Sequence, residues 1–401
     1  MADRPRAHLI IAVVAASATV YGAQGVSAAL PAVQHALGFS NSAIGLFTAA
    51  YILPGVVLAV PLGYLADALG RRRVFVAMAV VYGGAGAAQA LVSDFNVLLG
   101  LRVLQGIGYA SLMPLSVTLI ADVYRGAAQL RGQAWRQVTM SCGEFGFPLV
   151  AAGLASWSWR APLAAQGLLL PVAIVGLVVL DDRKSKSAGS GGYASELVQA
   201  VRLPGMPAVL TAGFLRFWCK FALVAYLPFM LVHNRGATLS QAALALSVSA
   251  GVAAVVNFIV VRALRHASAS RMLIAATALV GGSLVAFALV PNWQLALIVA
   301  VAFGLGDGTI VVLQNALVSV AAPEGVRGGL VAVSGMTRNV GKLVAPLAVG
   351  ALLLAVSPAA AFALIGISTW ALVPILRPLR RLDVLLRSES ADVTPMIVEA
   401  A

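Results

Sequence analysis

The stretch Gly63-Tyr-Leu-Ala-Asp67-Ala-Leu-Gly70-Arg71-Arg72-Arg73 lies between two long apolar segments. Gly63 lacks a side chain, which lets two helices approach closely, and Gly70 suits the left-handed backbone conformation that ends a helix. Asp67 lies near the C-terminal end of its helix, where the helix dipole disfavours an anion, so it requires a compensating partner. The three arginines are expected to lie in water. The stretch therefore predicts a charged turn between two membrane helices.

The spacing of these residues resembles the signature loop between the second and third helices of the major facilitator superfamily, a large group of secondary transporters. In that family the partner region of the aspartate is the start of the eleventh helix, which here falls near residues 326–329. The resemblance implies that this loop acts as a conformational gate. Asp122, at the inner end of the fourth span, is expected to belong to the same charge network. The gate residues are then Gly63, Asp67, Gly70, Arg71, Arg72 and Asp122. The alternative is an ordinary positively charged loop beside the membrane.

The chain is too apolar for a soluble protein. Of its 401 residues, 61% are hydrophobic and 10% are charged, and the mean hydropathy is +0.95, whereas a soluble domain needs far more charge to cover its surface. A membrane-spanning helix needs about 20 apolar residues. Runs of this kind occur at residues 9–30, 43–66, 74–92, 96–121, 132–155, 162–180, 207–232, 240–262, 271–290, 294–321, 328–355 and 359–376. The sequence therefore predicts an all-α polytopic membrane protein with twelve transmembrane helices.

A polar stretch rich in glycine and serine, residues 181–192, separates the sixth and seventh spans and is typical of a flexible linker. It divides the spans into two groups of six, as in transporters whose two pseudosymmetric six-helix bundles rock around a central cavity. The predicted organisation is an N-terminal bundle at residues 1–180, a cytoplasmic linker at 181–206, a C-terminal bundle at 207–377 and a cytoplasmic tail at 378–401.

The net charge of +13 indicates membrane orientation and not nucleic-acid binding. If the N-terminus is cytoplasmic, 19 of the 27 lysines and arginines lie in inside loops, and only Arg160 and Arg235 lie in outside loops. This asymmetry follows the positive-inside rule and predicts that both termini are cytoplasmic. The first apolar run is longer than the core of a signal peptide, so we expect it to remain as a helix. We expect a monomer in the lipid bilayer of the cell inner membrane.

Eight ionisable side chains fall inside the predicted spans, where each is costly and therefore a candidate functional residue. They are Arg102, Arg136, Glu144, Arg216, Lys220, Asp307, Arg338 and Lys342. Six are basic and two are acidic, a balance that favours anionic or zwitterionic solutes. The pairs 216/220 and 338/342 are spaced i and i+4 on one helix face, so the two charges of each pair repel unless water, an acid or a substrate lies between them.

Glu144 and Asp307 lie near the middle of their spans and are the candidates for proton exchange, together or singly. A carboxylate in a low-dielectric site holds its proton more tightly, whereas a nearby lysine or arginine has the opposite effect, so alternating proximity can drive proton uptake and release. The basic residues then compensate these acids or bind the substrate. The alternative is a static ion network that holds helices together. Weaker candidates for the cavity wall, each alternatively an interhelical hydrogen bond or an interface anchor, are Tyr21, Gln24, Tyr226, Gln314 and Asn315.

Two further stretches resemble motifs of the superfamily. The stretch Arg102-Val-Leu-Gln-Gly-Ile-Gly108 matches a motif whose arginine is associated with proton coupling; the alternative is an arginine that snorkels towards the outer interface. Residues 143–153 are similar to the glycine-proline motif of drug:proton antiporters, but Phe147 replaces the glycine before the proline and Glu144 is an additional acid. The second resemblance favours export and leaves the range of substrates open.

The sequence contains no phosphate-binding loop and no nucleophile elbow, and its histidines and cysteines lack ligand spacing, so we expect no enzymatic activity, no cofactor and no metal site. The combined interpretation is a proton-coupled transporter that exports a small organic drug or metabolite, anionic or zwitterionic, by alternating access. The closer alternative is a proton-coupled importer of an organic anion. The more distant alternative is a non-transporting membrane sensor or scaffold on the same fold.

Overall fold

The computed structural model describes residues 4–180, 199, 201–203, 205–263, 267–321 and 327–381. The first half contains six helical segments: α1 (Arg4–Val20, a π-helical turn at Tyr21–Gly25, then Val26–Leu37), α2 (Ala43–Val57 and Ala59–Leu69), α3 (Arg71–Ala88), α4 (Phe95–Val123), α5 (Gly126–Trp157) and α6 (Ala161–Ala164, Ala165–Leu168 and Leu169–Val179). The second half contains α7 (Met206–Arg235), α8 (Leu239–Ala263), α9 (Ala269–Leu289), α10 (Trp293–Ala321), α11 (Arg327–Leu352) and α12 (Pro358–Leu372).

Ten of these helices are long and apolar enough to cross a membrane. The two others are α2, whose apolar part Ala43–Val57 is shorter, and α11, which contains Arg338 and Lys342. Both coincide with predicted spans, so the count of twelve is consistent with the structure. No strand occurs in the described ranges. The prediction of an all-α polytopic membrane protein is therefore confirmed.

Helix ends are set by local side chains and glycines, because every backbone group near the bilayer needs a hydrogen-bond partner. Before α4, the Asp94 carboxylate accepts hydrogen bonds from the backbone N–H groups of Asn96 and Val97, at 2.8 and 3.0 Å. After α1, Gly38 adopts a φ of 69° and donates its N–H to the carbonyl of Gln34 at 2.8 Å. These caps end the helices where the polarity of the chain changes.

The two halves repeat the same packing arrangement. In the first half α1 packs on α4 and α5, α2 packs on α4, and α3 packs on α4 and α6. In the second half α7 packs on α10 and α11, α8 packs on α10, and α9 packs on α10 and α12. A shift of six helices converts one set of contacts into the other. The halves meet through α1 with α7, α2 with α11, and α5 with α8.

The charged turn between α2 and α3 agrees in part with the prediction. Gly70 has a φ of 101°, which favours glycine, but its ψ of 138° is not that of the expected left-handed cap. Gly63 was expected at a close helix contact; instead, no atom of the described residues lies within 4 Å of the position its Cβ would take. Arg71 forms an ion pair with Asp122 on α4, which places these two gate residues together.

Several predicted features fall outside the described residues. Residues 181–198 contain most of the predicted linker, and residues 382–401 contain most of the predicted tail. Residues 322–326 and the side chain of Asp67 also lie outside the description, so the expected partner of that aspartate stays a prediction.

The halves touch at the end of the molecule opposite the Gly70 turn. A Cβ on Gly45 of α2 would collide with the Pro346 carbonyl oxygen of α11, and one on Gly350 would lie 2.7 Å from the Ser42 carbonyl oxygen. The Tyr226 hydroxyl of α7 lies 2.8 and 2.9 Å from these two Cβ positions and donates a hydrogen bond to the Pro346 carbonyl at 3.4 Å. Glycine is required here because the two backbones are in direct contact.

We expect Gly45→Ala to destabilise this conformation by about 1–3 kcal/mol, because the added methyl group has no space between α2 and α11. The measurement is thermal unfolding of the detergent-solubilised protein. Gly100→Ala on α4 is the matched control, since no described atom lies within 4 Å of its Cβ position, and alanine is the better helix former. Equal melting temperatures for the two variants would contradict the close contact.

Candidate functional site

A cavity of about 460 Å³ lies between the two halves. Its wall is formed by α1, α4 and α5 from the first half and by α7, α8, α10 and α11 from the second. The predicted site residues that line it are Gln24, Arg136, Glu144, Arg216, Lys220, Asp307, Asn315, Arg338 and Lys342. The volume falls in the range of about 300–1,000 Å³ that is common for small-molecule sites. The tertiary structure thus brings together residues that are distant in the sequence.

Four of these side chains form a continuous ion network. The Arg216 guanidinium binds Asp307 through two hydrogen bonds, Nε to Oδ1 at 2.6 Å and a terminal nitrogen to Oδ2 at 3.1 Å. The Lys220 ammonium donates to Asp307 Oδ2 at 3.2 Å and to Glu144 Oε2 at 2.9 Å. Asp307 is 2% exposed, whereas the Glu144 side chain is 28% exposed. Buried charges are tolerated when they are paired in this way.

The network connects the two halves of the molecule. Glu144 belongs to α5 in the first half, whereas Lys220 and Asp307 belong to α7 and α10 in the second. The ion pair between Glu144 and Lys220 therefore crosses the cavity. The sequence predicted that the pair Arg216 and Lys220 needs an acid or a substrate between its charges; Asp307 is that acid.

Three cavity cations have no carboxylate within salt-bridge distance among the described side chains. Arg136 donates to the Ser116 hydroxyl at 3.3 Å and to the Met140 sulfur at 3.2 Å. Arg338 donates from Nε to the Ser334 carbonyl of its own helix at 3.1 Å. The Lys342 ammonium lies 4.8 Å from the centre of the Phe217 ring, and 5.9 Å from that of the neighbouring phenylalanine on α7. The cavity thus carries a surplus of positive charge.

Arg102 lies outside the cavity lining, inside the first half, where it is 1% exposed. Its guanidinium stacks between the rings of Phe47 and Tyr51, at 4.5 and 4.4 Å from their centres. It donates hydrogen bonds to Gln105 Oε1 at 2.8 Å and to the Gly22 carbonyl at 2.5 Å. That carbonyl belongs to the π-helical turn of α1, which also carries the cavity residue Gln24. Arg102 therefore lies behind the cavity wall, bonded to the turn of α1 that helps to form it, and does not snorkel outwards.

Three of the weaker candidates do not line the cavity. Tyr21 donates its hydroxyl to the Pro162 carbonyl at 3.0 Å, and Gln314 donates to the Ser334 hydroxyl at 3.4 Å. Tyr226 lies at the contact between α2, α7 and α11. Each side chain makes the interhelical hydrogen bond that was its alternative role, because its helix turns it away from the cavity.

The sequence did not point to the aromatic part of the wall. Phe217, Phe221 and Tyr109 line the cavity, yet an aromatic residue within an apolar span carries no signal of its own. A usable signal was the spacing on α7, since the two phenylalanines follow Arg216 and Lys220 by one residue each and share their i, i+4 interval.

The family model described as Major Facilitator Superfamily matches residues 10–346 and 209–392. The chain belongs to this superfamily, a family of transporters rather than enzymes.

Two relatives illustrate the range of similar proteins. The chain is 28% identical to the bacillibactin exporter of Bacillus subtilis (strain 168) over 140 residues, covering 33% of this chain and 35% of the relative. It is 26% identical to the 4-hydroxybenzoate transporter PcaK of Pseudomonas putida over 255 residues, covering 53% of this chain and 56% of the relative. The chain thus matches between about a third and just over half of the length of these relatives.

Solved structures share the fold at low sequence identity. The crystal structure of a POT family transporter in complex with 5-aminolevulinic acid superposes with a TM-score of 0.75 at 13% identity, covering 92% of this chain and 95% of that chain. At this identity the likeness concerns the fold alone.

We expect Asp307→Asn to destabilise the protein by about 3–5 kcal/mol, because Arg216 then keeps a buried charge without a carboxylate. Glu144→Gln should cost less, since Glu144 is partly exposed and Lys220 keeps Asp307 as its partner. The free energy of unfolding of each variant is measured by titrating the detergent-solubilised protein with a denaturant. Asn315→Ala, an exposed position on α10, serves as the control. A larger loss for Glu144→Gln than for Asp307→Asn would contradict this ranking.

Proposed function

We propose that the chain is a proton-coupled secondary active transporter that exports a small organic anion or zwitterion by alternating access. The observation that carries the proposal is the ion network of Glu144, Lys220, Asp307 and Arg216, which joins the two halves across the central cavity. Because Glu144 of the first half is paired with Lys220 of the second, protonation of Glu144 weakens a contact that depends on the relative position of the two halves. The proposed units are the N-terminal bundle at residues 1–180 and the C-terminal bundle at residues 207–377.

Glu144 is the better candidate for the first proton acceptor. Its side chain is 28% exposed, so protons reach it through the cavity, whereas Asp307 is enclosed by two cations. Protonation removes the negative charge of Glu144 and weakens its ion pair with Lys220. Lys220 remains paired with Asp307 within the second half, so the change loosens the connection between the halves without leaving a buried charge alone.

The direction of transport is proposed as export. The name of the bacillibactin exporter supports it, as does the glycine-proline motif around Pro148. Import of an organic anion is the second candidate, which the similarity to a 4-hydroxybenzoate transporter favours. The charge asymmetry of the loops supports cytoplasmic termini and placement in the inner membrane, where the transporter acts as a monomer.

Proton coupling is tested in proteoliposomes that contain a pH-sensitive dye, with radiolabelled anionic, neutral and cationic solutes added outside, so that internal pH and solute uptake are measured together. We expect an anionic solute to change the internal pH with the unmodified protein, and expect Glu144→Gln or Asp307→Asn to abolish the change, because each removes a titratable carboxylate. Thr139→Ala, a half-buried position on α5 outside the cavity lining, is the control. If solute moves without any pH change, coupling is wrong; if no solute moves, transport itself is contradicted.

A further inference from the structure

The basic residues at the centre of the cavity form two groups with different environments. Arg216 and Lys220 on α7 are neutralised by Asp307 and Glu144. Arg338 and Lys342 on α11 have no carboxylate within salt-bridge distance among the residues the structure describes. The first group is therefore occupied with the acids of the network. The second group is available to a ligand.

The donors of the second group point to an anion. Arg338 uses only Nε, towards the carbonyl of Ser334, and its two terminal nitrogens have no described acceptor. Lys342 is one helical turn further along α11, on the same face. Two half-buried cations on one helix face repel each other, and an acid bound between them relieves that repulsion. A carboxylate matches the planar fork of a guanidinium.

The apolar surface beside these cations is aromatic. Phe217 and Phe221 of α7 face Lys342, with ring centres 4.8 and 5.9 Å from its ammonium nitrogen. Tyr109 from the first half also lines the cavity. Aromatic rings pack favourably against other rings at their faces and edges, by about 0.5–1.5 kcal/mol beyond the burial of area. The surroundings of the two cations therefore suit a flat aromatic ring with an anionic group attached directly to it.

We propose that the substrate is an aromatic carboxylate, with its carboxylate bound by Arg338 and Lys342 and its ring packed on Phe217 and Phe221. This assignment rests on the proposed transport function and adds the substrate class and the residues that select it. Lys342 is the specificity-determining residue, because it touches both the charge and the ring of the ligand. A cavity of about 460 Å³ has space for one such molecule.

The test is equilibrium binding of radiolabelled benzoate to the purified protein, followed by scintillation proximity. Benzoate should bind, neutral benzamide and inorganic phosphate should not compete, and cyclohexanecarboxylate should compete at least tenfold more weakly. Lys342→Met and Arg338→Gln should each weaken benzoate binding tenfold or more. Arg160→Gln, an exposed arginine outside the cavity, is the matched control and should bind as the unmodified protein does.

Two further variants distinguish a specific effect of the Lys342 charge or the Phe217 ring on binding from a general loss of folding. Lys342→Arg keeps the positive charge and should retain most of the benzoate binding. Phe217→Leu should weaken benzoate but leave cyclohexanecarboxylate unchanged. The proposal is overturned if benzoate does not bind, if benzamide competes equally, or if Lys342→Met binds benzoate as tightly as the control.

Failure of this assignment is distinguishable from failure of the transport function. If a non-aromatic solute drives proton movement in proteoliposomes while benzoate does not bind, the substrate class is wrong and coupled transport stands. If benzoate binds as expected and no solute moves in proteoliposomes, the binding site stands and transport is wrong.

Discussion

The rest of the site depends on the cost of placing charge in a low-dielectric interior. Asp307 is 2% exposed and is accompanied by the guanidinium of Arg216 and the ammonium of Lys220. With its second acid, Glu144, the network is neutral in formal charge. Because both acids are used in this way, the three other cavity cations have no carboxylate partner among the described side chains. The same electrostatic requirement thus explains the pairing, the surplus of charge and the expected sign of the substrate.

Two of the contacts between the halves lie on helices that also carry cavity residues. One is the ion pair of Glu144 and Lys220, and the other is the close backbone crossing of α2 and α11 at Gly45 and Gly350. Both involve the helices that form the cavity wall: α11 carries Lys342 into the cavity and Gly350 into the contact. A movement of α11 relative to the first half would therefore change both its contact with α2 and the part of the cavity wall that carries Lys342.

The fold and the positions of the charged residues were open to prediction because their signals are local. Apolar runs of sufficient length, the turn at Gly70 and the loop charges each follow from a short stretch of chain. The sequence did not allow us to predict which side chains face the cavity. Tyr21, Tyr226 and Gln314 carry hydrogen-bonding groups within the spans, as Gln24 does, yet of these four only Gln24 lines the cavity, since the rotation of each helix depends on its neighbours. Arg102, similarly, is held by Phe47, Tyr51 and the Gly22 carbonyl, which belong to other helices.

The amino-acid sequence alone predicted a membrane protein of the superfamily, two groups of six spans and a set of eight ionisable residues within the spans, because hydropathy and charge are properties of single segments. It did not specify which acid pairs with which cation. That assignment arises from the packing of α5, α7, α10 and α11, which brings Glu144 to Lys220 across 76 residues and Asp307 to Arg216 across 91. Electrostatic energy depends on distance in space, and only the packed helices set those distances.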